Sequence, residues 1–119
     1  MISVKYMVGD GKGGILYSQE IRQDGSDLIL CRDEEDVYPI LSEITTFDIE
    51  RYFPDEMSDL IQELSKLKQN MTEESEKSYV DEIVGLCQKC QKRNEGQIAF
   101  NPFTSSFKFD TAKRDTQQA

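Results

Sequence analysis

Two kinds of apolar periodicity, kept apart along the chain, restrict this sequence to one fold class. Ile2, Val4, Tyr6 and Val8 alternate with Ser3, Lys5 and Met7, the period of two that turns one strand face to a core and the other to water. Beyond residue 54 the repeat changes. Met57, Leu60, Ile61, Leu64 and Leu67, and then Tyr79, Val80, Ile83, Val84, Leu86, Cys87 and Cys90, recur at helical spacing and form apolar stripes. Strands at one end and helices after them predict an α+β fold.

The detail follows from the punctuation between these runs. Gly9-Asp10-Gly11-Lys12-Gly13-Gly14 reads as a turn rich in residues that tolerate positive φ. Alternation resumes over 15–22, with Ile15, Tyr17 and Ile21 on one face. After the turn Gln23-Asp24-Gly25-Ser26, the run Leu28-Ile29-Leu30-Cys31 is expected to be a third, well-buried strand. Short turns join antiparallel neighbours, so the N-terminal part is predicted to be an antiparallel β-meander.

Pro39 suits the first turn of a short helix through Ile44, and 45–53 reads as a loop packed by Phe47, Ile49 and Phe53. Pro54-Asp55-Glu56 opens the first main helix, and Thr72 is a candidate N-cap for the second, expected over 75–93. Residues 97–103 read as a return strand, and 106–110 could add a short edge strand through Phe107 and Phe109. The expectation is a single domain over residues 1–110 and a polar, disordered tail over 111–119.

At 119 residues, with eleven Tyr and Phe side chains, the chain can bury a core without a metal or disulfide staple. Three cysteines, Cys31, Cys87 and Cys90, are an odd number and argue against a secreted disulfide framework. No run approaches the ~18–20 apolar residues of a membrane span, and no signal peptide is visible. These features point to a cytoplasmic protein without membrane association.

Histidine is absent. That removes the acid/base group needing least tuning at neutral pH and the commonest metal ligand. The glycine-rich turn lacks the order of a phosphate-binding loop and is followed by a strand instead of a helix. Cys87-Gln88-Lys89-Cys90 lies late in a helix, in apolar register, where core-facing thiols are expected and not a redox pair or zinc half-site. Asp33-Glu34-Glu35-Asp36 does not follow a calcium-loop pattern. No catalytic residue, cofactor or metal site is assigned, and an enzyme is not expected.

One asymmetry remains. Residues 33–63 hold eleven acids and a single base, Arg51, for a net charge of −10, while the rest of the chain is net +1 within a total of −9. A one-signed patch attracts an oppositely charged partner and speeds association. It repels nucleic acid, so direct nucleic-acid binding is not expected. The candidate partner-binding residues are Asp48, Glu50, Asp55, Glu56 and Asp59.

The order Tyr38-Pro39-Ile40-Leu41, Phe47-Asp48, Phe53, Met57-Ser58-Asp59-Leu60-Ile61-Gln62-Glu63-Leu64, Ile83-Val84-Gly85-Leu86-Cys87 and Ile98-Ala99-Phe100-Asn101-Pro102-Phe103 resembles small bacterial immunity-type proteins of contact-dependent and other polymorphic toxin systems. The resemblance implies an acidic protein that docks on a basic toxin domain and occludes its active site, and it transfers no individual functional residue. A nuclease is the favoured toxin, because its nucleic-acid cleft would be cationic. Two alternatives stay open: a nucleic-acid-mimicking inhibitor, and a regulatory or assembly module for which the charge serves solubility.

Overall fold

The computed structural model describes residues 1–103. It is an α+β fold whose elements run β1 (Ser3–Gly9), β2 (Ile15–Ile21), α1 (Ser26–Leu30), a 3-10 turn (Leu41–Glu43), β3 (Glu50–Tyr52), a second 3-10 turn (Pro54–Glu56), α2 (Met57–Gln69), α3 (Glu74–Arg93) and β4 (Gln97–Asn101). The edge strand expected at 106–110 and the tail at 111–119 lie outside the described residues. No helix among the described residues is long and apolar enough to cross a membrane.

The four strands form one antiparallel sheet in the order β2-β1-β4-β3. The register Val4↔Phe100, Tyr6↔Ile98 and Tyr52↔Ile98 gathers the buried members of β1, β4 and β3 on one face, as period-two alternation requires. That face meets α3. Lys89 Nζ donates to Gln19 Oε1 at 2.8 Å and to the Tyr17 hydroxyl at 3.1 Å, and Arg93 stands 4.8 Å over the Tyr17 ring. On α3, Gln91 reaches the Ser58 hydroxyl at the start of α2, and Asp81 pairs with Lys68 near its end, so the two helices run antiparallel. Both apolar stripes are buried as the spacing predicts, with Ile61 and Val84 half-buried at their margins.

Four expectations need correction. The run expected as a third strand belongs to the helix α1, so the N-terminal strands make a hairpin. Ile29 and Leu30 are buried while Leu28 is 79% exposed, and the Ser26 hydroxyl accepts the Ile2 N–H at 2.7 Å and donates to the Ile2 carbonyl at 3.1 Å. In a meander the third strand would pair with β2, whereas here the sheet grows on the other side of β1, where β4 pairs. A short apolar run has no period by which strand and helix can be told apart.

The helix expected from Pro39 to Ile44 is reduced to the 3-10 turn Leu41–Glu43. The segment 45–53 is not wholly loop, because β4 offers an edge on which β3 pairs. Within it Ile49 is half-buried, but Phe47 and Phe53 are 78% and 48% exposed, and Tyr52 supplies the packing instead, 5.8 Å from the Phe100 ring and edge-on. Finally, α3 begins one residue early, and Thr72 does not cap it; Glu73 is the N-cap and makes no side-chain cap bond.

Candidate partner interface

The acidic segment wraps one end of the sheet and then enters the helical layer. Its eleven acids have different jobs. Glu63 lies on the buried side of α2 and is 5% exposed. Its Oε1 accepts the N–H groups of Ile40 and Leu41, both at 2.9 Å, and Oε2 accepts from Ile40 at 3.0 Å. It thereby satisfies amides at the start of the Leu41–Glu43 turn that have no partner within the turn. Glu56 Oε1 accepts the Phe53 N–H at 2.9 Å while its own N–H donates to the Phe53 carbonyl at 2.9 Å, a reciprocal lock on the entry to α2. Glu43 accepts from the Tyr52 hydroxyl at 2.9 Å.

Of the five residues predicted from sequence, Glu50 and Glu56 both act electrostatically on Tyr52. Burial, first, and then the carboxylates of Glu43, to which it donates, Glu50 and Glu56 push the Tyr52 hydroxyl well above the ordinary tyrosine range. Asp59 belongs elsewhere. It shares with Asp36 the lining of an open groove of about 830 Å³ between α2 and the 36–40 loop. The base in that groove, Lys66, is exposed, donates to the Val37 carbonyl at 3.1 Å and lies 5.9 Å from the Tyr38 ring. Asp55 is exposed on the turn before α2, and Asp48 is exposed ahead of β3; no side-chain bond ties either to the other three.

Among the described residues the ion pairs are Arg22–Glu20, Lys68–Asp81 and Lys77–Glu74, and none involves an acid between 33 and 63. Arg51 is exposed, on the strand face opposite Glu50 and Tyr52. The surface therefore carries uncompensated negative charge, with the exposed rings of Phe47 and Phe53 inside it. The sequence reading overlooked the internal use of Glu43, Glu56 and Glu63. A signal existed for two of them: Glu63 sits in the stripe Leu60, Leu64, Leu67, and Glu56 stands three residues after Phe53 at a helix start.

The other motifs resolve on local geometry. In the glycine-rich turn, Asp10 Oδ1 accepts the N–H groups of Lys12 at 2.7 Å and Gly14 at 2.9 Å, and these bonds hold its carboxyl below the usual range. The amides that would cradle a phosphate are occupied by the chain's own carboxylate. Cys87 and Cys90 are fully buried on α3. Burial, with a smaller contribution from Cys90, pushes the Cys87 thiol up to about 12, and burial likewise raises Cys90. Both thiols are protonated at neutral pH, the opposite of a reactive pair. Among the described residues no group of three or more His, Cys, Asp or Glu side chains is placed to hold a metal ion. No protein-family model, curated protein or solved structure matches this chain.

Proposed function

We propose that the protein acts by binding and not by catalysis, as an immunity-type inhibitor whose acidic edge docks on a basic toxin domain of nuclease type and occludes it. The observation that supports this reading is that, among the described residues, no acid between 33 and 63 forms an ion pair. Glu43, Glu56 and Glu63 are used within the fold, whereas the unmatched charge of the others acts at a distance on a partner of opposite sign. The docking residues are Asp48, Glu50, Asp55 and Asp59, with Glu56 shaping the turn that presents them. Phe47 and Phe53 add apolar contact of the kind that anchors interfaces.

The test uses two charge-reversal triples. Asp48, Asp55 and Asp59, each changed to Lys, removes docking acids without touching the internally bonded Glu43, Glu56 or Glu63. Glu73, Glu82 and Glu95, each changed to Lys, makes the same net change elsewhere. Tagged wild type and both triples are used as bait in the source cells, and the captured toxin domain is purified and its activity measured with each protein added. The reading expects a basic partner that the control triple binds and inhibits like wild type, with loss of both by the first triple. Equal behaviour of the two triples, or a partner whose activity survives saturating wild type, would refute it.

A further inference from the structure

Among the described residues, the edge of the sheet farthest from β3 is β2, and it is poorly defended. Natural edge strands are short, bulged in mid-strand, or carry lysine or proline to block pairing with another chain. β2 has seven residues, no lysine and no proline, and its register slips only at its outer end, opposite Val8 and Gly9. Ile15 and Leu16 are 60% and 71% exposed. Being consecutive, they point to opposite faces, so the strand lacks cover on both sides where it begins. Its one charge, Glu20, is already engaged by the Ser3 hydroxyl at 2.6 Å and Arg22 Nε at 3.1 Å.

We infer that β2 pairs antiparallel with β2 of a second copy, giving a closed two-fold dimer with a continuous eight-stranded sheet. The strand is complementary to itself about Ser18. That register sets Ile15 opposite Ile21 of the second copy, Tyr17 opposite Gln19 and Leu16 opposite Glu20. At either end it brings the turn carrying Lys12 beside the turn carrying Asp24, opposite charges that are both exposed. A chain of net charge −9 would resist self-association at most places on its surface. Here it does not, because three strand spacings put the acidic β3 edge ~14 Å from β2. In the dimer the two acidic edges stand seven strand spacings, ~34 Å, apart, several times the ~8 Å over which charge is screened at physiological ionic strength. The symmetry is isologous and closes on itself, so growth stops at two.

Light scattering on the size-fractionated full chain, over micromolar to millimolar concentrations, gives the mass. The expected value for wild type is twice the chain mass, without further growth. Leu16→Glu places like charges opposite each other at two symmetry-related positions and should raise the dimer dissociation constant about tenfold. Leu16→Lys sets a base opposite Glu20 of the second copy and should weaken the dimer clearly less than Leu16→Glu. Circular dichroism confirms that both variants, altered at an exposed site, keep their fold. A monomer throughout the range, mass that keeps rising with concentration as a head-to-tail array would, or equal weakening by Glu and Lys would each overturn the proposal.

Discussion

Removing the Glu63 carboxylate should cost this protein a large part of its stability, although the residue is one acid among eleven in its segment. In Glu63→Ala the N–H groups of Ile40 and Leu41 lose their acceptor at a place where Leu41 is fully buried. A buried donor left unsatisfied costs ~1–3 kcal/mol. Two of them, with the lost packing of the side-chain stem, come to ~3–4 kcal/mol, against a total of ~5–15 kcal/mol for a typical domain. Glu63→Gln is milder. Its remaining oxygen takes the place of Oε1, which accepts from both amides, and what is lost is the Oε2 contact and the charge, ~1–1.5 kcal/mol. Urea unfolding followed by circular dichroism measures both values, and the order Ala worse than Gln is part of the prediction. Hydrogen exchange adds a local readout: in Glu63→Ala the Ile40 and Leu41 amides should exchange faster relative to those of α3. A loss below ~1 kcal/mol for Glu63→Ala, or unchanged exchange at these two amides, would show that the carboxylate does not hold the 36–43 segment to α2.

Three further outcomes can be checked by the same methods. Two buried tyrosines should respond oppositely to loss of the hydroxyl: Tyr52→Phe gives up its bond to Glu43 and should lose ~1 kcal/mol, whereas among the described residues the Tyr79 hydroxyl makes no hydrogen bond of acceptable geometry and Tyr79→Phe should be neutral or stabilising in urea melts. Gly96 has φ +84°, and a Cβ there would overlap the Met7 carbonyl oxygen and approach Tyr6 Cε1 within 2.9 Å; Gly96→Ala should therefore cost ~2–4 kcal/mol, and a thermal midpoint close to wild type would contradict the packing described. Below the ordinary thiol value of 9.0 the folded and unfolded chains both keep the Cys87 proton, but between 9.0 and about 12 only the folded chain does. Stability should thus fall as pH rises through that window, by about 1.4 kcal/mol per unit from this thiol, and Cys87→Ala should flatten the slope between about pH 9.5 and 10.5 by that amount; an unchanged slope would place the thiol in contact with solvent.

What could be read from sequence was whatever repeats along it. The stripes on α2 and α3 recur over several turns, and the alternation of β1 persists over seven residues, so each carries its own period. The burial of Cys87 and Cys90 was legible for the same reason. α1 was not, because four apolar residues in a row are equally at home on a strand. β3 was hidden for a different cause: three residues become a strand only because Phe100, Ala99 and Ile98 lie beside them, and nothing local encodes a partner more than forty positions away. The acidic surface divides along the same line. Its sign and extent were visible in a count of charges, but whether a carboxylate faces solvent or an amide depends on which backbone is folded against it. Glu63 and Glu56 have the composition of the patch and the work of the scaffold.

The position of β4 between β1 and β3 also orders events in time. Of the four strands it is the last to be synthesised, and two earlier ones wait for it. While a nascent chain lacks residues 97–101, the β1–β2 hairpin has a bare edge and β3 has no neighbour, whereas α2 and α3 depend on contacts between adjacent segments and can form early. The strand that carries Glu50 and Tyr52 thus acquires its pairing only once β4 is made. A half-made chain would carry the charge of the finished protein without its shape. The final shape of the acidic surface therefore waits on completion of the sheet by its last strand.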